Sequence, residues 1–184
     1  MGYDGDAWVF SWLPIQERWL SGYLRSNHQY GFARYSNRIS SCHGWYKESI
    51  TQENDFLLKA IDANDIEASR AYIQSFFKLR NERRERVKKE LGVDIVALEQ
   101  LYETMEGSAR YIEYCLYRHF GNFSLSDAKW LYTVGRKYYY ATGFNLLRLS
   151  DKLEIDYKYA IFKDVSSVER NLRILISEWN DQDM

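Results

Sequence analysis

Few residues in this sequence interrupt helices or suit metal and redox chemistry. Its 184 residues include one proline, Pro14, two cysteines and three histidines. No proline follows Pro14 to break a later helix. Cys42 and Cys115 match neither a zinc-binding nor a Cys-x-x-Cys spacing, and two isolated thiols fit a reducing compartment better than a disulfide scaffold. We therefore expect a cytoplasmic protein that holds no metal ion and no cofactor.

The sequence also lacks a long apolar run. No stretch reaches the roughly 18 apolar residues that a membrane-spanning helix requires. Asp4 and Asp6 occupy positions where a signal peptide carries Lys or Arg, and the N-terminus lacks the Ser or Thr of a myristoylation signal. These absences predict no signal peptide, no lipid anchor and no membrane partner.

An excess of charge of one sign is missing as well. The 25 basic and 26 acidic side chains leave a net charge of −1 at pH 7. A protein with so little net charge does not attract polyanions over its whole surface. Any contact with nucleic acid must therefore come from a local basic patch.

Helical periodicity dominates what remains. The length suits one domain with a sizeable core, and neither a linker nor a low-complexity segment divides the chain. We predict a single helical domain over residues 1–184, with a less regular N-terminal segment over residues 1–50. Short connections between strong helical segments favour an all-α fold, a helical bundle of about six helices.

Helix boundaries are predicted from capping residues and glycines. The longest helix should begin after Asp65 and end at Gly92, and Gly107 should separate two shorter helices. In the second of these, the residues expected to be buried are Ile112, Cys115, Leu116 and His119. The other predicted helices follow Pro14, begin near residue 51, begin near Ser124, and begin at the capping box Ser166-x-x-Glu169.

Two segments do not fit a helical pattern. Leu153, Ile155 and Tyr157 alternate with charged residues, which is the period of a β-strand. A strand needs a partner, and residues 28–49, which show no clean period, are the sole candidate. A short strand pair between residues 28–49 and 153–162 therefore stays open, beside a helix or an extended arm.

The segment 76–91 is strongly basic, with seven basic and three acidic residues. The buried stripe through Phe77 continues at Arg80 and Arg84, so about two turns are polar on every side. One interpretation is a solvated helix whose charges pair along its own surface. The other is a helix that contacts phosphate groups or an acidic partner, because arginine forks bind both. The candidate binding residues of this helix are Arg80, Arg83, Arg84, Lys88 and Lys89.

Aromatic residues make up 17% of the sequence, and 16 of them are tyrosines. Three consecutive helical residues spread over roughly 200°, so the run 138–140 cannot be entirely buried. A core edge lined by hydrated tyrosines and a partner surface are both compatible with this pattern. Exposed tyrosine and arginine are typical of protein interfaces, and such rings also stack on bases. The candidate binding residues of this group are Tyr114, Tyr117, Arg118, Arg136, Lys137, Tyr138, Tyr139 and Tyr140.

Candidate catalytic residues are scarce. The sequence contains no Walker loop, G-x-G-x-x-G, G-x-S-x-G or H-E-x-x-H motif. Arg38 and His43 stand at a short spacing that resembles the Arg–His motif of HEPN-type ribonucleases, which are helical domains. The resemblance implies His43 as general acid or base and Arg38 as phosphate ligand, although that motif occupies a late helix and this pair lies early. Cys42 beside His43 lacks the third group that would orient a nucleophile and its base.

The sequence favours a non-catalytic protein–protein interaction module, such as an adaptor, inhibitor or regulator, with a surface of aromatic residues and arginine. The first alternative is a nucleic-acid-binding accessory protein that uses the basic helix 76–91. The second is a small HEPN-like ribonuclease. The aromatic excess also leaves homo-oligomerisation open.

Overall fold

The computed structural model describes residues 44–120, 138–157 and 167–182. Five helices occupy almost all of them: α1 (Gly44–Asp62), α2 (Ile66–Leu91), α3 (Val96–Phe120), α4 (Tyr138–Lys152) and α5 (Val168–Gln182). These three ranges contain no β-strand, so the prediction of an all-α bundle is confirmed. Within them, no helix is both long and apolar enough to cross a membrane. The starts predicted at Pro14 and near Ser124 lie outside the described residues.

Helix α4 lies at the centre of the bundle, and α1, α3 and α5 each pack against it. All residues from 138 to 150 are buried or half-buried. Its sequence is apolar or uncharged on nearly every side, and a helix of that kind is stable only when it is covered. Polar side chains on α4 find partners close by: Thr142 Oγ1 donates a hydrogen bond to Asn54 Oδ1 of α1 at 3.1 Å.

Helices α3 and α4 cross at two glycines. A methyl group added to either Gly107 or Gly143 would overlap the backbone of the other helix. Glycine is required here because only a residue without a side chain allows two backbones to approach so closely. The prediction that Gly107 ends a helix is therefore wrong, since α3 continues without interruption to Phe120.

Besides a small cluster of Tyr114 with Phe144, the interior of the described residues contains two larger hydrophobic clusters. The larger joins α1, α2, α4 and α5, and its fully buried side chains include Leu57, Ile73, Phe76, Leu146, Leu149 and Leu172. The smaller lies towards the other end of α2 and consists of Tyr46, Ile50, Val87, Ile95, Tyr138 and Tyr139. Along α2, the turns between these clusters carry Arg80, Arg83 and Arg84 on the buried face.

The ends of α2 form as the sequence predicts. Asp65 Oδ1 accepts a hydrogen bond from the N–H of Ala68 at 2.7 Å, which caps the first turn. Gly92 adopts the left-handed conformation with φ of 67°, and its N–H donates to the carbonyl of Lys88 at 3.0 Å. Both boundaries depend on local chemistry, which is why they can be predicted from the sequence.

Two segments that showed no helical period are described in part. Helix α1 begins at Gly44 instead of near residue 51, so residues 44–49 are helical and not irregular. After α4, residues 153–157 form a turn and an irregular stretch instead of a strand, with Glu154 at φ of 56°. Residues 28–43 and 158–162 of the expected strand pair lie outside the described residues.

Helix α5 begins at a serine cap. Ser167 Oγ accepts a hydrogen bond from the N–H of Arg170 at 3.1 Å. The predicted capping box assigned the reciprocal roles to Ser166 and Glu169; Ser166 lies outside the described residues, and Glu169 is 1% exposed. Glu169 therefore faces the interior, where it meets the arginines of α2.

Candidate functional site

The three central arginines of α2 lie inside the bundle. Arg80, Arg83 and Arg84 are 0%, 2% and 6% exposed. The expectation that these guanidinium groups reach solvent is wrong. In this fold they are not accessible to phosphate groups. Sequence periodicity placed Arg80 and Arg84 on the buried face correctly, but it did not place Arg83 there. It did not show that neighbouring helices supply carboxylates at the same level.

Two of these carboxylates belong to α1 and α3. Glu53 of α1 accepts hydrogen bonds from Arg83 Nε at 2.5 Å and from Arg83 Nη2 at 3.0 Å. Glu99 of α3 accepts from Arg83 Nη1 and from Arg84 Nε, both at 2.7 Å. Bidentate, charge-assisted contacts of this kind are among the strongest hydrogen bonds in proteins. Arg83 thereby connects α2 to both neighbouring helices.

The third carboxylate, Glu169, connects α5 to α2. Arg84 Nη1 and Nη2 donate to its two oxygens, both at 2.7 Å, in a fork-to-fork pair. Arg80 Nε adds a third hydrogen bond at 3.2 Å. From the rim of the bundle, Arg173 Nε donates to Glu169 Oε1 at 2.7 Å while its own side chain remains 34% exposed.

The fourth carboxylate, Glu103, has the fewest donors. Its Oε2 accepts a hydrogen bond from Arg80 Nη2. Its Oε1 is buried and has no hydrogen-bond partner among the residues that the structure describes. Burial raises the pKa of Glu103 to about 7; the charge of Arg80 opposes this rise, and the charges of Glu99 and Glu169 add to it.

The arginines hold two of the carboxylates in the ionised form. Burial alone would raise the pKa of Glu99, but Arg83, Arg80 and Arg84 outweigh it, and the pKa lies well below its usual range. The same balance lowers the pKa of Glu169. A buried set of arginines and glutamates is stable only when the opposite charges pair closely. We call it the buried ion cluster, and its members are Arg80, Arg83, Arg84, Glu53, Glu99, Glu103 and Glu169.

Most of the tyrosine run that begins α4 is interior as well. Tyr138 is 2% exposed, and its hydroxyl donates to Glu99 Oε1 at 2.6 Å. Tyr139 is 3% exposed. Tyr140 is half-buried, and the guanidinium of Arg110 lies 5.3 Å from its ring centroid. The argument from helix geometry, that the three rings cannot all be buried, agrees with this arrangement, but only Tyr140 reaches the surface.

The other predicted aromatic residues lie at the C-terminal end of α3. Tyr114 is buried against Phe144 of α4, with 5.3 Å between ring centroids. Arg118 is exposed, its Nη1 donates to Tyr114 Oη at 3.3 Å, and its guanidinium lies 5.5 Å from the centroid of the Tyr114 ring. Tyr117 is 48% exposed.

Two large apolar side chains at this end of α3 were not predicted as surface residues. Leu116 is 41% and Phe120 is 78% exposed. Cys115 and His119 are exposed too, so the predicted buried stripe through residues 115, 116 and 119 is wrong. The spacing of four between Leu116 and Phe120 was the available signal, because it places both on one helical face. We call Leu116, Tyr117, Arg118 and Phe120 the α3-end surface.

The lysines of the basic helix are at the surface. Lys88 and Lys89 are exposed in the last turns of α2, and Lys88 Nζ lies 3.8 Å from Asp94 Oδ2. A role in binding stays a prediction for both. Arg136 and Lys137, which were predicted to extend the tyrosine patch, lie outside the described residues.

The catalytic alternative concerns residues that the structure does not describe. Arg38, Cys42 and His43 lie in the N-terminal segment before α1. Across residues 44–120, 138–157 and 167–182, no group of three or more His, Cys, Asp or Glu side chains is arranged to hold a metal ion.

Comparison with known proteins found no matching family model, no matching curated sequence and no matching solved structure.

Proposed function

We propose that this protein is a non-catalytic interaction module that binds another protein through the α3-end surface. The observation that carries the proposal is the exposure of Leu116, Tyr117 and Phe120, at 41%, 48% and 78%, within the last turns of one helix. The centres of protein interfaces are enriched in aromatic side chains and arginine. The α3-end surface has this composition, with Arg118 between its apolar members.

Three large apolar side chains are exposed together on α3, whereas the other two exposed in the described residues, Ile66 and Ile174, lie singly on α2 and α5. Elsewhere the bundle buries even charged side chains. Arg80 and Glu99 are both 0% exposed. Covering apolar surface stabilises a protein by about 25 cal/mol per Å², and that gain is not realised at Leu116 and Phe120. A partner that covers these side chains would realise it, which supports a binding role for this end of α3.

Arg118 indicates the chemistry of the partner. Tyr114 holds the guanidinium through a 3.3 Å hydrogen bond and through its ring, so less side-chain entropy is lost when a partner binds. A guanidinium fork pairs best with a carboxylate. The α3-end surface therefore fits a protein that presents apolar side chains beside an Asp or Glu.

Nucleic acid fits the described surface less well. Arg80, Arg83 and Arg84, the strongest phosphate ligands of the basic helix, are paired with glutamates. The four basic side chains of segment 76–91 that stay exposed lie among three exposed glutamates, which leaves a net charge of only +1 for phosphate binding. The four are Lys78, Arg86, Lys88 and Lys89, and the glutamates are Glu82, Glu85 and Glu90.

The test is affinity capture from the native host with the wild-type protein, a Phe120→Asp variant and an Ile174→Asp control. Ile174 is 48% exposed on α5, so its replacement adds the same charge at a similar exposed apolar position. Half of each sample is treated with nuclease. We expect one acidic partner protein that survives nuclease and about 0.2 M salt, is retained by Ile174→Asp, and is lost with Phe120→Asp.

Two results would refute this proposal. Equal recovery of the partner with Phe120→Asp would exclude the α3-end surface, and loss of the partner on nuclease treatment would favour nucleic acid instead. Analytical ultracentrifugation of the purified chain tests self-association. If the wild-type chain is a dimer and Phe120→Asp is a monomer, the occupant is a second copy, and the proposal of a different protein partner is wrong.

A further inference from the structure

Glu103 is held differently from the other carboxylates of the buried ion cluster. Each of the others accepts at least two hydrogen bonds from guanidinium groups. Glu103 accepts one, from Arg80, although its side chain is only 1% exposed. Its second oxygen has no partner among the described residues. An ionised carboxylate in this position is costly, and a proton removes the charge that makes it so.

The charged groups that act directly on Glu103 are Arg80 on α2, Glu99 on α3 and Glu169 on α5. The other helices reach it only through these groups: Glu53 of α1 lies 3.6 Å from Arg80, and Tyr138 of α4 donates to Glu99. The cluster contains three buried guanidinium groups and four buried carboxylates, so one negative charge is in excess when all four carboxylates are ionised. Arg173 offsets that charge at the rim, but it binds Glu169 and not Glu103.

Arg80 links Glu103 directly to α5. Its Nη2 donates to Glu103, and its Nε donates to Glu169 of α5 at 3.2 Å. The residue after Glu103, Thr104, accepts a hydrogen bond from the N–H of Val168, the first residue of α5, at 3.3 Å. When both carboxylates are ionised, they repel each other across one guanidinium, so ionisation of Glu103 weakens the attachment of α5.

We propose that Glu103 is a proton switch whose protonation fastens α5 to α2 and α3 and whose ionisation loosens it. We expect α5 to loosen before α4, because only three of the α5 residues between 168 and 179 are buried. By contrast, residues 138–150 of α4 are all buried or half-buried. The switch is separate from partner binding at the α3-end surface and does not depend on it.

The direction of the pH dependence follows from the folded state. Burial raises the pKa of Glu103 from 4.5 to about 7, so the folded protein binds this proton more tightly than the unfolded chain does. The resulting contribution to stability is complete below pH 4.5 and is lost as the pH rises through about 7. Helix α5 should therefore be attached most firmly in mildly acidic solution.

The experiment measures thermal unfolding and amide hydrogen exchange of the full chain between about pH 5 and about pH 8. For the wild type, we expect the midpoint temperature to fall by about 5 °C over this range. After correction for intrinsic rates, the α5 amides should exchange about tenfold faster at the upper pH. Glu103→Gln, which carries no proton to lose, should abolish both changes. Glu113→Gln, at an exposed position on the same helix, should retain them.

A pH dependence of the same size in Glu103→Gln would overturn the proposal, as would faster exchange spread evenly over all five helices. Infrared spectroscopy of the unmodified protein keeps the test independent of whether the variant folds. A band from a protonated carboxyl group should be present at about pH 6, where ordinary carboxyl groups are ionised, and absent at about pH 8. If no such band exists, Glu103 does not bind a proton in this range and there is no switch.

Discussion

Arg83 is the arginine whose environment differs most from what its residue type suggests. Its guanidinium pairs with two carboxylates, those of Glu53 and Glu99, and the residue is only 2% exposed. Arg83→Ala would leave buried carboxylates without their cation, a change that costs about 3–5 kcal/mol of the free energy of unfolding. Urea denaturation at neutral pH measures this loss.

Lys89→Ala is the matched control, since it removes one positive charge from an exposed position on the same helix. Its effect should lie within about 0.5 kcal/mol. If Arg83→Ala were as mild as Lys89→Ala, the guanidinium of Arg83 would have to be in water, and the buried ion cluster would not exist as described.

For the buried ion cluster, helical periodicity in the sequence predicts which side chains face inward but not which of them pair. The periodicity of α2 correctly placed Arg80 and Arg84 on the face that continues from Phe77. A matching signal existed on α3, where Glu99 and Glu103 follow the buried Ile95 at intervals of four. What no local pattern indicates is that the two sets meet, because that depends on which helices become neighbours.

At the scale of helices, the crossing of α3 and α4 makes a sharp prediction. Gly143→Ala would gain about 1 kcal/mol of helix propensity. The added methyl group would, however, overlap the backbone of α3 at Glu103, which cannot move aside as a side chain can. Overpacking of this kind costs about 1–3 kcal/mol or more, so the variant should unfold at lower urea concentration than the wild type.

Gly44→Ala is the control, because a methyl group there would meet nothing within 4 Å. It should leave the urea midpoint nearly unchanged. A Gly143→Ala protein that is more stable than the wild type would mean that helix propensity outweighs the crossing, and that α3 and α4 lie further apart than described.

The helices differ in how well their ends could be predicted. Asp65 and Gly92 bound α2 through contacts with their own neighbours in sequence, so the pattern was sufficient. Gly107 was predicted to end a helix, but glycine is required there because a side chain would overlap the backbone of Gly143 on another helix. In a single sequence, a glycine that allows two helices to cross closely cannot be distinguished from a glycine that ends a helix.

For the whole molecule, opposite pKa shifts of the buried glutamates predict that the free energy of unfolding has a maximum within a narrow pH range. Glu99 and Glu169 have lowered pKa values, so their contribution is present above the unfolded value of 4.5 and is lost as the pH falls below it. Glu103 acts in the other direction and contributes less as the pH rises towards about 7. Stability should therefore be greatest near about pH 5.

Urea denaturation at a series of pH values checks this prediction. The wild type should show a maximum, with a steep decline on the acid side and a shallower one on the alkaline side. Salt should change the maximum little, because fully buried pairs are screened far less than surface pairs. A stability that rises steadily from about pH 5 to about pH 8 would contradict the assignment of opposite shifts.

The central claim is that a helix with the composition of a nucleic-acid-binding surface instead turns Arg80, Arg83 and Arg84 into the interior, where glutamates from three other helices neutralise them. Arginine-specific modification of the folded protein by phenylglyoxal, read out residue by residue by mass spectrometry, tests it most directly. We expect Arg80, Arg83 and Arg84 to be protected until the protein unfolds, while the exposed Arg118 and Arg170 react readily. Reaction of the three α2 arginines at the rate of the exposed ones would contradict the account.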